Sequence, residues 1–215
     1  MGKKIALAVG VLVLLGLLAG GVYFYMAVGQ SPDDSANFSD TMSDDELDSL
    51  MVNDENIALP EDVTFETYTN EEEGITIEYP SDWTVSPGAS PTVVVLASPL
   101  QNSNDSYQET VSIAAQDISA SELSLEEFST QATNALSQYM ENLQITKQGD
   151  AQLDGEPAKV VHFSGTYPAT DYLSETYQIY TVYDGYVYII TYTGVPDDFE
   201  AFMPTVGKMV SSFTF

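Results

Sequence analysis

Cysteine and arginine are both absent from this 215-residue chain, lysine occurs five times, and histidine and tryptophan occur once each. Without cysteine there is no disulfide framework, no thiolate nucleophile and no Cys-based metal site. There is also no acceptor for a lipoprotein-type lipid. One histidine without cysteine argues against an ordinary zinc site. Phosphate binding needs clustered cations that release counterions. Lys147, Lys159 and Lys208 are single and scattered, so the composition excludes nucleic acid as a partner. An anionic lipid surface would repel the acidic part of the chain for the same reason.

What the chain has instead is acid. Its formal net charge is −28, with 33 Asp and Glu. Residues 1–30 carry Lys3 and Lys4 and no acid, so the excess falls entirely on residues 31–215. Such a surface keeps a protein solvated, and a salt-rich habitat would select the same pattern.

The two lysines precede an uncharged apolar run, Ile5 to Val28. As a helix this run would reach about 36 Å, enough for a hydrocarbon core of about 30 Å with some tilt. A cleavable signal has a shorter apolar region, of about 7–15 residues. Length therefore favours a retained signal anchor over residues 1–29. Lysines at its start would leave the N-terminus in the cytoplasm and carry the rest outside. Tyr23, Phe24 and Tyr25 fall where an interfacial aromatic belt would lie. Cleavage after Ala27-Val28-Gly29 is the competing reading. Gly16 and Gly20 have helix-pairing spacing, which chance also explains in a glycine-rich run.

Residues 30–64 form an acidic stalk with no base. Self-repulsion and low apolar content predict disorder there, with one amphipathic stretch at Leu47–Val52. Asn37-Phe38-Ser39 and Asn104-Asp105-Ser106 are glycosylation sequons, meaningful only where that machinery exists.

From Phe65 to Phe215 the patterning predicts one folded domain. Gly74–Pro80 alternates and stops at a proline, as a strand does. Thr92–Ala97 and Glu109–Ile118 are further strands. Ser124 and Glu127 form a capping box. Leu125, Phe128, Ala132, Ala135, Leu136 and Tyr139 follow at helical spacing, predicting a helix to about Asn142. Gln144–Leu153, Ala158–Tyr167, Thr176–Tyr183 and Tyr186–Thr193 read as strands. Asp184-Gly185 marks a hairpin between the last two, with Tyr186, Tyr188 and Tyr192 on one face. A second helix is expected over 198–211, interrupted or restarted at Pro204, with Phe213–Phe215 as a closing strand. The class is α+β, an antiparallel sheet flanked by helices, preceded by one transmembrane helix. A domain of this length can bury a core without disulfides.

Candidate chemistry is sparse. His162 lies inside a predicted strand, and no nucleophile elbow accompanies it, although Ser164-Gly165 is nearby; it reads as a structural residue. Paired carboxylates could serve a hydrolase, yet no spacing selects a pair. Oxygen ligands between Asp150 and Glu156 could serve calcium, but a hairpin turn explains them. Asp197-Asp198 reads as a helix cap. Trp83 reads as core, and the hairpin tyrosines as core or as an exposed interface.

Tyr68, Asn70 and the run Gly74-Ile75-Thr76-Ile77-Glu78-Tyr79-Pro80-Ser81-Asp82-Trp83 resemble the opening of PsbP-like domains, part of the Mog1/PsbP fold group. Phe199, Pro204, Lys208-Met209-Val210 and Ser212–Phe215 resemble their ending. The likeness covers about residues 65–215. It implies an α-β-α sandwich around an antiparallel sheet and a non-enzymatic role, binding a partner or supporting an assembly. Photosynthetic members dock through basic surfaces and an N-terminal segment; this chain has neither, so a photosystem role does not carry over.

The expectation is a membrane-tethered extracytoplasmic module. It uses the membrane through residues 5–28 and binds an envelope protein, with no assigned catalytic, cofactor-binding or metal residue and no cofactor. A calcium- or small-ligand-binding domain is the alternative, and a carboxylate-dependent hydrolase the second.

Overall fold

Period-2 alternation along the central strands sorts two apolar sets onto opposite faces of one sheet, and each face then needs its own cover. The computed structural model describes residues 63–121, 123–168 and 172–215. The expected anchor, and the stalk up to residue 62, lie outside the described residues. Among those described, no helix is long and apolar enough to cross a membrane.

The elements in chain order are β1 (Phe65–Asn70), β2 (Ile75–Pro80), β3 (Thr84–Pro87), β4 (Thr92–Ala97), β5 (Thr110–Asp117), α1 (Leu125–Tyr139), β6 (Glu141–Leu153), β7 (Glu156–Thr166), β8 (Leu173–Tyr183), β9 (Tyr186–Gly194) and α2 (Pro196–Ser211). Seven strands make one antiparallel sheet in the order β3-β4-β5-β9-β8-β7-β6, and β1-β2 form a separate hairpin. Ile113, Ile190, Ile179 and Val160 are core residues of the face covered by α2 and β2. Val161, Phe163, Tyr180 and Ile189 point the other way, against Phe128, Ala132, Ala135 and Leu136 of α1. The result is the expected antiparallel α+β sandwich.

The residues on which the resemblance at the start of the domain rests do structural work. Asn70 Oδ1 accepts from the backbone N–H groups of Glu72 and Glu73, and Gly74 takes a left-handed φ of 70° that glycine adopts without a Cβ clash. Together they turn β1 into β2. The Ser81 N–H donates to the Thr64 carbonyl, and the Trp83 N–H to that of Pro80. Trp83 is buried and meets Phe202 of α2 edge-on at 6.0 Å.

Several expectations need correction. The β1 strand has too few apolar residues to announce itself and forms by pairing with β2. Helix α1 ends at Tyr139, because Met140 is already extended and the strand resumes at Glu141. Helix α2 runs unbroken through Pro204 and starts at Pro196. A mid-helix proline costs about 3 kcal/mol. The burial of Phe199, Met203, Val206 and Met209, at about 1.5–3 kcal/mol each, exceeds that. Its N-cap is Val195, and Asp197 and Asp198 lie in the first turn, where they suit the helix dipole rather than cap it. Phe213–Phe215 is not a strand; Thr214 makes a single bridge to Thr76.

Candidate functional site

At the β9 C-terminus the register lines up polar side chains that are far apart in sequence. Ser164 pairs with Glu175, and Glu175 with Gly194. Thr110 pairs with both Thr193 and Ala97, which sets Glu109 beside Gly194 and Ser98. Ser98, Glu109, Gly194, Glu175 and Ser164 thus form one cross-strand row on the α2 face. His162 belongs to the adjoining row, opposite Tyr177, which is opposite Tyr192.

Glu109 is fully buried, at 0 % exposure. Its Oε2 accepts from Ser98 Oγ at 3.0 Å, and its own N–H donates to the same oxygen. Oε1 has no hydrogen-bond partner. Burial pushes the Glu109 carboxyl up to about 7; its hydrogen bonds to backbone and Ser98 oppose this, and the charges of Asp198 and Asp105 add to it. Burial, with Glu109's charge next, also holds the hydroxyls of Tyr107 and Tyr192 well above the ordinary tyrosine range.

His162 and Glu175 are both buried. Nε2 sits 2.8 Å from Glu175 Oε1 as an ion-pair contact, without a hydrogen-bond partner. Nδ1 lies 2.8 Å from Thr146 Oγ1. Thr146 Oγ1 also donates to the His162 carbonyl at 3.2 Å. Phe199 stacks on the imidazole at 5.3 Å and on Tyr192 at 4.5 Å, and Tyr192 Oη donates to the Phe199 carbonyl at 2.9 Å. The first turn of α2 thereby closes the row.

Gly194 is the narrow point. A Cβ there would lie 3.1 Å from Tyr192 Oη, 3.2 Å from Glu109 Cγ and 3.4 Å from Phe199 Cδ2. Gly194→Ala is expected to lower the unfolding free energy by about 1–3 kcal/mol through overpacking, read as an earlier urea midpoint at unchanged slope.

Of the residues singled out in the sequence, His162 places its ring nitrogens against Thr146 and Glu175. Asp154-Gly155 is a tight turn with positive φ at both residues, and Asp150 is paired with Lys159 at 2.8 Å, so that loop is a hairpin. Trp83, Tyr188 and Tyr192 belong to the core, with Tyr186 packed against it. Glu109 and Glu175 were not singled out, and only their register partners distinguish them from the other acids. Among the described residues no group of three or more Asp, Glu or His is placed to hold a metal ion.

The arrangement holds one carboxyl that burial raises toward neutrality. The Glu109 carboxylate is enclosed in this packing, with Ser98 and the Gly194 backbone beside it.

The model of a family described as PsbP-like protein matches residues 43–215. Comparison with curated proteins gives no match. Among solved structures, the fold is similar to the cyanobacterial PsbP (CyanoP) of Synechocystis sp. PCC 6803, with a TM-score of 0.52 at 15 % identity over 73 % of this chain and 96 % of that one. LpqN of Mycobacterium tuberculosis, involved in cell envelope biogenesis, gives 0.52 at 14 % identity over 72 % and 86 %. PA94 of Pseudomonas aeruginosa, a protein of unknown function, gives 0.50 at 14 % identity over 69 % and 94 %. At these identities the likeness is one of fold.

Proposed function

The chain belongs to the PsbP-like family, and on that premise we propose that it is a membrane-tethered, extracytoplasmic, non-catalytic module that binds a protein partner in the cell envelope. The observation that carries this reading is the sealing of the domain's reactive cluster. Glu109, Glu175 and His162 lie under α2 with at most 9 % exposure. A general acid or base must come within hydrogen-bond reach of its substrate, and these groups face protein. What the domain offers to its surroundings is surface, and surface serves recognition.

Tethering rests on the apolar run Ile5–Val28 behind Lys3-Lys4, and the acidic residues 30–64 hold the domain away from the bilayer. The involvement of LpqN in cell envelope biogenesis points the same way. The test is chemical crosslinking of the tagged full-length protein in native membranes, followed by mass spectrometry. One recurrent partner, lost when residues 65–215 are deleted, supports the reading. Recovery of no protein above an untagged control at normal expression overturns it.

A further inference from the structure

The opposite end of the same sheet face is open where the first end is sealed. Helix α2 stops at Ser211, leaving Phe213–Phe215 to lie across the β8–β9 hairpin. There Tyr183 stacks on Phe215 at 4.4 Å, Phe215 on Tyr188 at 5.0 Å, and Tyr186 lies 6.0 Å from Tyr188. Tyr188 is buried and belongs to the core, whereas Tyr183 is 40 % exposed. Phe215 and Tyr186 are half-buried. The rings are held from behind: the Phe215 N–H donates to Asp154 Oδ2 at 3.2 Å, and Tyr188 Oη donates to the Glu73 carbonyl.

The rim of this stack is acidic. Asp184 follows Tyr183 in the hairpin turn, Glu73 meets Tyr188 through its backbone carbonyl, and burial together with the charges of these acids raises the pKa of Tyr188. Lys159 is engaged by Glu126 and Asp150, and Lys208 by Glu78, so these cations neutralise other acids. A partly exposed ring face beside acidic residues matches a planar cation, which stacks on the ring and pairs with an acid at once.

We propose that the Tyr183–Phe215 stack, with Asp184 and Glu73, is a docking surface for an arginine-bearing segment of a protein partner. This rests on the partner-binding reading above and names its contact surface. The patch lies about 27 Å along β9 from Gly194, so it can be altered without touching the buried row. Affinity should be moderate and salt-sensitive, since both attractions act near water.

The test is titration of the full-length chain, in zwitterionic detergent micelles, with a five-residue capped peptide carrying two arginines separated by one glycine. Saturable binding is expected. Tyr183→Ala is expected to weaken it about tenfold, as is Asp184→Asn combined with Glu73→Gln. Asn keeps the left-handed turn residue in place. Asp82→Asn combined with Glu141→Gln removes two exposed acids elsewhere and should leave binding unchanged. Absence of saturable binding, full binding by Tyr183→Ala, or equal weakening by the remote pair would each overturn the proposal. The crosslinking experiment separates the two readings. A partner still recovered with Tyr183→Ala removes the patch and keeps partner binding, whereas no partner with the unmodified chain removes partner binding itself.

Discussion

Glu175→Ala is expected to lower the unfolding free energy by roughly 3 kcal/mol, because it leaves the His162 ring nitrogen buried without the carboxylate that faces it. Both residues are nearly inaccessible, so water cannot replace the lost oxygen without opening the α2 contact. Glu175→Gln keeps an acceptor of the same shape and should cost less than half as much. Trp83 is the only tryptophan and is buried against Phe202, so its fluorescence reports the transition directly. A double-mutant cycle with His162→Leu isolates the pair. If the pair matters as described, Glu175→Ala costs markedly less once His162 is gone. Equal costs in both backgrounds would show that Glu175 acts through something other than this histidine.

The second large effect is a dependence on pH. Burial raises the Glu109 carboxyl to about 7 in the folded chain, whereas an unfolded chain leaves it in the ordinary range near 4.3. Between these values the folded state binds the extra proton, so stability falls as pH rises. The contribution is full below about pH 4 and is lost as pH passes through 7. It is of the order of 3 kcal/mol from one plateau to the other. Mutual repulsion among the acids produces a slope of the same sign, so the informative quantity is the difference between the unmodified chain and Glu109→Gln. Near pH 4 the two should be similarly stable. At pH 8 the Gln variant should be more stable, because it never buries a charge. Parallel pH profiles would show that Glu109 does not titrate in this range.

Periodicity and turn chemistry made much of the scaffold legible. The capping box at Ser124 and Glu127 is formed as expected, and the Asp184-Gly185 turn places Tyr186, Tyr188 and Tyr192 on one face. Each of these features involves residues within a few positions of one another, so local geometry suffices to specify it. Errors fell where a long-range contact overrode a local preference. Burial of α2 carries the helix past Pro204. Pairing with β2 makes a strand of the polar segment at Phe65–Asn70. Family likeness located Asn70, Gly74 and Trp83, and the structure shows why: they form the turn and the anchor of the β1–β2 hairpin against α2.

The candidate site was the least legible part. Glu109 reads as the polar start of a strand, one acid among many, and Glu175 is equally plain. Their burial depends on the order β4-β5-β9-β8-β7 and on a register that joins five segments in one row. It also depends on Phe199 arriving from α2 to close it.

By itself, the sequence determined the acid excess, the absence of thiol chemistry, the positions of most strands and both helices, and the antiparallel class. These follow from composition and from periods of two and 3.6 residues, which are local properties. Only the tertiary structure decided which carboxylates lose water and which aromatics keep it. Desolvation belongs to a position in the packed sheet: Gly194 admits Glu109 to the interior at one end of β9, and the end of α2 leaves Tyr183 in solvent at the other.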